Sequence, residues 1–253
     1  MSITKAYELV GMKAISDVVA NTLREMIAHA KPGMTTKELD NFGGEKMMQS
    51  GARSAPNLTY NFPGHTCISV NSSFAHGIPS DKVILQEGDL INIDVSAELN
   101  GYWSDNGCSF VLGRDVHGHQ KLIDTSKDIL RKALMAIRDE VRISDVGGLI
   151  EDEARRAGYR VIRNLTGHGI GRSLHEAPKE IANYRNNQYK AKFKANSIVA
   201  VETFIATKST MANTQRDGWT LVGNKGGFVA QHEHTLMVTK NAPEILTLAN
   251  GIV

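Results

Sequence analysis

The stretch Asp89-Leu-Ile-Asn-Ile-Asp-Val-Ser-Ala97, continued by Glu98-Leu-Asn-Gly-Tyr-Trp-Ser-Asp105, decides how this chain is expected to fold. Residues 89–97 and 102–112 are predicted to form paired antiparallel strands, because the intervening Asn100-Gly101 favours a tight hairpin turn. Asp94 then lies on one arm and Asp105 on the other, so we expect them to face each other across the sheet. Two like charges held that close need a cation between them, although carboxylates beside hairpins are common and the pair alone is weak evidence.

A similar arrangement recurs in the second half of the chain. Asn196-Ser-Ile-Val-Ala-Val-Glu202 again ends an apolar strand on an acidic side chain. Helices are predicted over about the first thirty residues, from residue 35 or 36 onward, and near 119–139 and 143–157. Residues 51–66 are expected to be loop, and further strands are expected at 67–70, 159–163, 197–206, 218–223 and 227–238. Two rounds of helix, helix and strands predict an α+β protein with two pseudo-symmetric halves.

Three more side chains extend the candidate metal site. Glu202 lies within an apolar strand and Glu233 within Gln-His-Glu-His-Thr; such a buried glutamate is costly unless it is metal-bound or forms a salt bridge. His168 lies in Gly167-His-Gly-Ile-Gly171, where the glycines allow close backbone approach, and this spacing does not fit the G-x-G-x-x-G nucleotide cradle. Four carboxylates and one imidazole suit a pair of divalent metals that share ligands and activate water against an amide or phosphoryl group.

Two further histidines lie in short loops beside glycine and proline. His76 is in Ala-His-Gly-Ile-Pro and His175 is in Leu-His-Glu-Ala-Pro. A loop histidine is commonly solvated, but either could reach the cavity that contains the metal ligands. His232 and His234 flank Glu233 and, on a strand, should point to the face opposite it, so they are left out of the ligand set.

Composition narrows the class of protein. The 253 residues are 41% hydrophobic, enough for a substantial core, and a net charge of +2 with scattered signs argues against a nucleic-acid surface. Cys67 and Cys108 lack metal-site spacing and are expected to be free buried thiols. No signal peptide and no run of about eighteen apolar residues is present, so we expect a cytoplasmic protein without a membrane span.

At this point the sequence resembles a known family. The phrases Ala-His-Gly-Ile-Pro, Asn-Ile-Asp-Val-Ser, Gly-His-Gly-Ile-Gly, Leu-His-Glu-Ala-Pro and Gln-His-Glu-His-Thr follow the order found in type I methionine aminopeptidases. Lys31-Pro-Gly-Met-Thr-Thr-Lys-Glu-Leu-Asp40 and Glu244-Ile-Leu-Thr-Leu are also similar, so the resemblance covers nearly the whole chain. It implies the pita-bread fold, with residues 1–253 as one catalytic domain around a dinuclear centre, and removal of N-terminal methionine before a small second residue.

The resemblance also implies individual roles for the metal ligands. Asp94 resembles the chelator of one metal, and Asp105 and Glu233 resemble the bridging carboxylates. His168 and Glu202 resemble the ligands of the second metal. The ions implied are two divalent metals (cobalt, manganese, iron, zinc or nickel), since mixed oxygen and nitrogen sites bind several.

Substrate-binding roles follow in the same way. His76 and His175 resemble the histidines that contact the scissile amide, and Glu202 or a neighbouring carboxylate is expected to shuttle the proton. The methionine pocket of the family corresponds to Phe62, Cys67 and Trp219, with Tyr60 at its edge. The partners implied are peptides and nascent chains with N-terminal methionine and a transient contact to the ribosome; a monomer without membrane or specific nucleic-acid partners is expected.

The sequence departs from the family at two positions, and other functions compete. Thr203 stands where proline is usual and Asn106 where threonine is common. Proline-specific aminopeptidases share the fold and the ligand order, but they typically carry a sizeable additional N-terminal domain. A phosphoesterase is a further alternative, as is a ribosome or nucleic-acid adaptor, which should have lost ligands and gained a basic insert.

Overall fold

The predicted helices and longer strands occur in the order that the sequence predicts, with a short helix and several further strands added. The structure is a computed structural model and describes residues 1–252. Within them the α-helices are α1 (Ala6–His29), α2 (Thr36–Gln49), α3 (Ala55–Tyr60), α4 (Gln120–Ala136) and α5 (Ile143–Arg156). The strands are β1 (Arg53–Ser54), β2 (Cys67–Val70), β3 (Ser73–Ala75), β4 (Leu90–Leu99), β5 (Tyr102–Val111), β6 (Arg160–Val161), β7 (Thr166–Gly169), β8 (Glu176–Ala182), β9 (Ile198–Ala206), β10 (Ala212–Thr214), β11 (Leu221–Gly223), β12 (Val229–Met237) and β13 (Glu244–Ile245), followed by a 3-10 turn at Leu248–Asn250.

The predicted hairpin is formed by β4 and β5. Asn100 and Gly101 have φ angles of 52° and 81°, the left-handed conformation that a tight two-residue turn requires. This turn pairs Leu99 with Tyr102 and, along the ladder, Ser96 with Asp105. The expectation that Asp94 and Asp105 lie directly opposite is therefore wrong: they are diagonal neighbours, offset by two residues. Because the offset is even, both side chains still point to the same face of the sheet.

The main sheet joins the two halves of the chain through β12. It has ten strands, with the order β1-β4-β5-β12-β9-β7-β8 along its main path. β12 pairs with β5 from the first half and with β9 from the second half, both antiparallel. The register places Glu233 of β12 directly opposite Glu202 of β9. A smaller sheet of β10, β11 and β3 lies beside it.

The helices of each half pack on the strands of that half. α1 packs against β4 and β5, and α4 packs against β9 and β12. α1 contributes side chains at helical spacing to the main hydrophobic core: Met12, Ile15, Val19, Leu23 and Met26. Within residues 1–252, no helix has both the length and the apolar character needed to cross a membrane.

The expectation of a loop over residues 51–66 is wrong, because β1 and α3 lie in this segment. The side chain of Ser54 caps α3 by accepting a hydrogen bond from the backbone N–H of Asn57. Pro56 lies in the first turn of α3, where its missing N–H is not needed, and Asn61 ends the helix in the left-handed conformation. The Pro and Asn residues that suggested a loop thus start and stop a short helix.

Candidate active site

One cavity brings together every side chain that the sequence assigned to the site. Its volume is about 390 Å³, and residues from both halves of the chain line it. The predicted residues in its wall are Tyr60, Phe62, Cys67, His76, Asp94, Asp105, His168, His175, Glu202, Trp219 and Glu233. The segments that carry them are far apart in sequence, so the fold itself assembles the cavity.

The candidate metal ligands form the floor of this cavity. Single ligand atoms of Asp105, His168 and Glu233 lie within 4.8 Å of one another. Nε2 of His168 is 3.9 Å from a carboxylate oxygen of Asp105. Glu202 joins this group as the direct cross-strand partner of Glu233, a pairing of like charges that destabilises a sheet unless a cation lies between them.

Burial shifts the pKa values of the four carboxylic acids among the candidate ligands. Burial raises the pKa of Asp94 to about 6. It raises the pKa values of Asp105, Glu202 and Glu233 well above the usual range, and the charges of the neighbouring carboxylates raise them further. A bound cation would reverse this effect by favouring the ionised forms.

Unpartnered oxygens show that the cluster fits a divalent cation. Oδ1 of Asp105 and Oε1 of Glu233 are buried and have no hydrogen-bond partner. Leaving a buried acceptor unsatisfied is costly, and a cation would satisfy both oxygens. Carboxylate oxygens with one imidazole nitrogen are a suitable donor set for first-row divalent metals.

His168 is held as a neutral ring with one nitrogen directed at the carboxylates. Its Nδ1 lies 3.1 Å from the carbonyl oxygen of Gly169, which can only accept, so Nδ1 carries the proton and Nε2 keeps its lone pair. Burial and the nearby His175 lower the pKa of His168 to about 4. A Cβ at Gly167 or Gly169 would overlap the backbone of a neighbouring strand, so both glycines are required by close packing.

Gln231 is a buried residue that contacts two of the candidate metal ligands, and sequence reasoning missed it. Its side-chain nitrogen donates to Glu233 at 3.1 Å and approaches Glu202 at 3.4 Å. Its oxygen accepts from Asn92 at 2.7 Å, which fixes the orientation of the amide. A Cβ at Gly107 would overlap this amide. Residues two apart on a strand share a face, so the position of Gln231 before Glu233 was the available signal.

The two loop histidines lie in the wall of the cavity. Nδ1 of His175 is 2.8 Å from the hydroxyl of Tyr60, and its ring centroid is 4.0 Å from that of His168. His76 follows β3 with a φ of 51° and is exposed. Surrounding protein atoms lower the pKa values of both His76 and His175 by desolvation, and His175 also lowers that of His76. Both rings are therefore neutral near pH 7 and each can donate one hydrogen bond to a ligand.

The apolar end of the cavity is formed by aromatic rings. Phe62 and Trp219 meet edge to face, with centroids 5.2 Å apart, and Tyr60 lies beside Trp219 at 6.5 Å. Cys67 is buried in the same wall, and its register partner across β2 and β4 is Asp94. The predicted methionine-pocket residues thus adjoin the candidate metal ligands.

His232 and His234 belong to the buried structure behind the site. The ring of His232 contacts the hydroxyl of Ser126 at 2.9 Å and the carbonyl of Ser109 at 3.1 Å. Nδ1 of His234 is 2.8 Å from the hydroxyl of Thr247. Neither side chain lines the cavity.

The two departures from the family pattern are also buried away from the cavity. The Thr203 hydroxyl lies 3.4 Å from that of Ser126. The Asn106 amide donates to the carbonyl of Val95 at 3.0 Å and accepts from Asn250 at 3.0 Å. Both polar side chains find hydrogen-bond partners without displacing a candidate ligand.

Comparisons with known proteins agree with this geometry. The model of the metallopeptidase family M24 matches residues 10–240. Methionine aminopeptidase 2 of Bacillus subtilis is 47% identical over 247 residues, which is 98% of this chain and 99% of that protein. A methionine aminopeptidase of Staphylococcus epidermidis is 42% identical over 241 residues, 95% of this chain and 96% of that protein.

Solved structures show the same fold. The methionine aminopeptidase of Thermotoga maritima superposes with a TM-score of 0.92 at 30% identity, covering 98% of this chain and 99% of that one. An X-Pro aminopeptidase of the same organism superposes with a TM-score of 0.76 at 20% identity, and the match covers 97% of this chain but 61% of that one. This second likeness shows the pita-bread fold alone. The chain therefore belongs to metallopeptidase family M24, and its relatives at 42–47% identity are methionine aminopeptidases.

Proposed function

We propose that this protein is a metal-dependent aminopeptidase that removes N-terminal methionine from peptides and nascent proteins when the second residue is small. The observation that carries the proposal is the single cavity in which buried carboxylates and His168 adjoin the apolar wall of Phe62 and Trp219. A cation cluster beside a pocket for a thioether side chain fits hydrolysis of the first peptide bond, since methionine packs well against aromatic edges.

Two divalent metal ions are proposed for the floor of the cavity. Asp94, His168 and Glu202 would hold them together with Asp105 and Glu233, in keeping with the unpartnered oxygens of the last two. When bound, such ions lower the pKa of a water molecule and polarise the scissile carbonyl. Cobalt, manganese, iron, zinc and nickel are all candidates, because ligands of this kind do not discriminate strongly among them.

The protein side chains orient the substrate and move protons. A neutral His175 whose Nδ1 accepts from Tyr60 presents its Nε2–H to the substrate, where it would stabilise the charge that develops on the carbonyl oxygen. His76 would bind the substrate from the opposite loop. Glu202 or a neighbouring carboxylate would pass the proton to the leaving amine.

The shape of the cavity supports selectivity at the first two residues. The aromatic wall suits an unbranched apolar side chain, so branched or charged first residues should bind poorly. The second residue would pass between His76, His175 and the carboxylates, which favours Ala, Gly, Ser or Thr. The free α-ammonium would meet the acidic cluster, so N-acetylated and N-formylated chains should not be substrates.

The proposed partners follow from the proposed reaction. Nascent chains with an exposed methionine arise at the ribosome, so we place the activity in the cytoplasm with a transient contact to the ribosome. The protein is proposed to act as a monomer, since the ligands and the pocket all come from one chain.

A panel of substrates tests the proposal. The purified protein with added Co²⁺ or Mn²⁺ is assayed against Met-Ala-Ser, Met-Lys-Ser and Gly-Pro peptides and a phosphate monoester. Fast release of methionine from Met-Ala-Ser alone is the expected result. Cleavage of Met-Lys-Ser at the same rate as Met-Ala-Ser would contradict the narrow second subsite. Faster cleavage of the Gly-Pro peptide than of Met-Ala-Ser would make the protein a proline-specific peptidase. Phosphate release from the monoester would make it a phosphoesterase.

A further inference from the structure

Lys179 is the only lysine or arginine in the wall of the cavity among residues 1–252. The cavity wall also contains the carboxylates of the candidate metal centre and three histidines, His76, His168 and His175, which are neutral. Lys179 belongs to β8 and is exposed. Nothing in the proposed reaction uses this ammonium group.

The position of Lys179 is set by an irregularity in the sheet. β7 and β8 pair at Gly169–Glu176 and again at Gly167–Ile181, with a register shift between the two pairs. Four residues of β8, 177–180, therefore lie alongside a single residue of β7, His168. This extra length projects from the ladder next to a candidate metal ligand and places Lys179 in the cavity wall.

The ammonium group of Lys179 has no ion pair or hydrogen bond within the described part of the chain. The adjacent acids are engaged elsewhere: Glu176 accepts hydrogen bonds from the backbone N–H groups of Arg172 and Ser173. Burial raises the pKa of Tyr189, and the charge of Glu180 raises it further. By contrast, Lys192 and Lys194 both pair with Glu140 on the surface.

Lys179 also does not neutralise the candidate metal ligands. The pKa values of Asp94, Asp105, Glu202 and Glu233 are raised by burial and, for the last three, by one another's charges, without a lowering contribution from Lys179. Because the Lys179 side chain is exposed and belongs to the cavity wall, its ammonium group lies towards the opening of the cavity. It is available to a ligand that enters from solvent.

We propose that Lys179 is a specificity residue that binds a carboxylate of the substrate beyond the second residue. The inference rests on the proposed function, because the methionine must occupy the pocket of Phe62 and Trp219 to orient the peptide. An extended chain advances about 3.3–3.6 Å per residue, so the third and later residues cross the outer part of the cavity. The carboxylate could come from an acidic side chain at the third or fourth position or from the C-terminus of a short peptide.

The size of the effect follows from the exposure of Lys179. A solvent-exposed ion pair contributes a modest free energy, so kcat/KM should change by about two- to fivefold. The preference should weaken as ionic strength rises, because salt screens exposed charges.

The experiment compares amidated peptides that differ at one position: Met-Ala-Glu-Ser-Gly, Met-Ala-Gln-Ser-Gly and Met-Ala-Lys-Ser-Gly, with a second set that moves the variable residue to position four. Met-Ala-Ser with a free or amidated C-terminus distinguishes the terminal carboxylate from a side chain. The wild-type protein is compared with Lys179→Met, which keeps the length, and Lys179→Glu, which reverses the charge. Lys240→Glu makes the same change in net charge at an exposed site outside the cavity.

The inference is supported if the wild-type kcat/KM falls in the order Glu, Gln, Lys, or is higher for the free than for the amidated tripeptide. This preference should disappear in Lys179→Met and reverse in Lys179→Glu. Lys240→Glu should keep the wild-type order. Equal kcat/KM for all peptides in the wild type would overturn the inference. So would a preference that survives in Lys179→Met, or one that Lys240→Glu changes as much as Lys179→Glu does. If no peptide releases methionine, the proposed function fails; if methionine is released without regard to charge, only this inference fails.

Discussion

The hydroxyl of Tyr60, at the end of α3, lies 2.8 Å from Nδ1 of His175, which precedes β8 in the other half of the chain. Since His175 is neutral, a hydrogen bond donated by Tyr60 to Nδ1 leaves the proton of the ring on Nε2. A Tyr60 hydroxyl that donates to Nδ1 would fix Nε2 as the nitrogen of His175 that can donate to a substrate. The pairing joins a side chain of one half that is proposed to contact the substrate to the edge of the apolar pocket in the other.

Tyr60→Phe tests this relationship. Loss of one neutral hydrogen bond should lower kcat/KM for Met-Ala-Ser by about three- to tenfold, through loss of the favoured tautomer of His175. The measured quantities are kcat and KM across the pH range, together with metal content, which should not change. Tyr7→Phe removes an exposed hydroxyl on α1 and serves as the matched control. Wild-type kcat/KM in Tyr60→Phe would show that the hydroxyl does not orient His175.

The roles of His168 and His175 should separate by metal analysis. His168→Ala should weaken the binding of one metal ion, because Nε2 faces the carboxylates. His175→Ala should keep its metal content while losing about 10²–10³ in kcat/KM, the usual cost of one donor to a developing oxyanion. Elemental analysis of both purified variants decides the matter. A lost metal ion in His175→Ala would reverse the two assignments.

Gln231 should matter for metal affinity although it is not a ligand. Gln231→Met keeps the approximate volume but removes the N–H donor to Glu233 and Glu202. Loss of such a hydrogen bond to metal-binding carboxylates typically weakens metal binding by about 10- to 100-fold. Competition with a chelator measures the Kd, and Gln120→Met on the exposed surface of α4 is the control. An unchanged Kd would mean that the carboxylates are oriented without Gln231.

The stabilisation that metal confers should grow with pH. In the metal-free protein the buried acids have raised pKa values, about 6 for Asp94. A pKa raised in the folded state contributes stability below the unfolded value, and this contribution is lost as the pH rises through the folded pKa. Metal binding to the ionised carboxylates strengthens over the same range. The difference in Tm between metal-loaded and metal-free protein should therefore widen from about pH 5 to about pH 8. Calorimetry at a fixed metal concentration measures this difference. A difference that stays constant with pH would contradict the linkage.

The candidate ligands could be proposed from the sequence because each lies in a short phrase with a local physical reason. A glutamate within an apolar strand and a histidine among glycines, as at Glu202 and His168, stand out without knowledge of the fold. The diagonal offset of Asp94 and Asp105 depended on the register, which only the position of the two-residue turn determines. An even offset preserved the shared face, so both side chains line the same cavity although their pairing was predicted wrongly.

Other features left weaker signals. Pro56 and Asn61 are typical of loops and also of helix ends, so α3 and the place of Tyr60 on it were missed. β8 has an irregular burial pattern and no clear alternation of polar and apolar side chains, so a strand at Lys179 could not be distinguished from a loop. Gln231 became significant only when β12 was placed between β5 and β9. Such features depend on contacts between distant segments, which local sequence patterns do not encode.

The central claim is that the acidic cluster of Asp94, Asp105, His168, Glu202 and Glu233 is a metal centre that hydrolyses N-terminal methionine peptides. The most direct measurement is the rate of methionine release from Met-Ala-Ser by protein stripped with EDTA and shown by elemental analysis to be metal-free, before and after addition of Co²⁺, Mn²⁺ or Fe²⁺. We expect no activity without metal and recovery when at least one of these ions is added. Full activity in the metal-free protein would contradict the account.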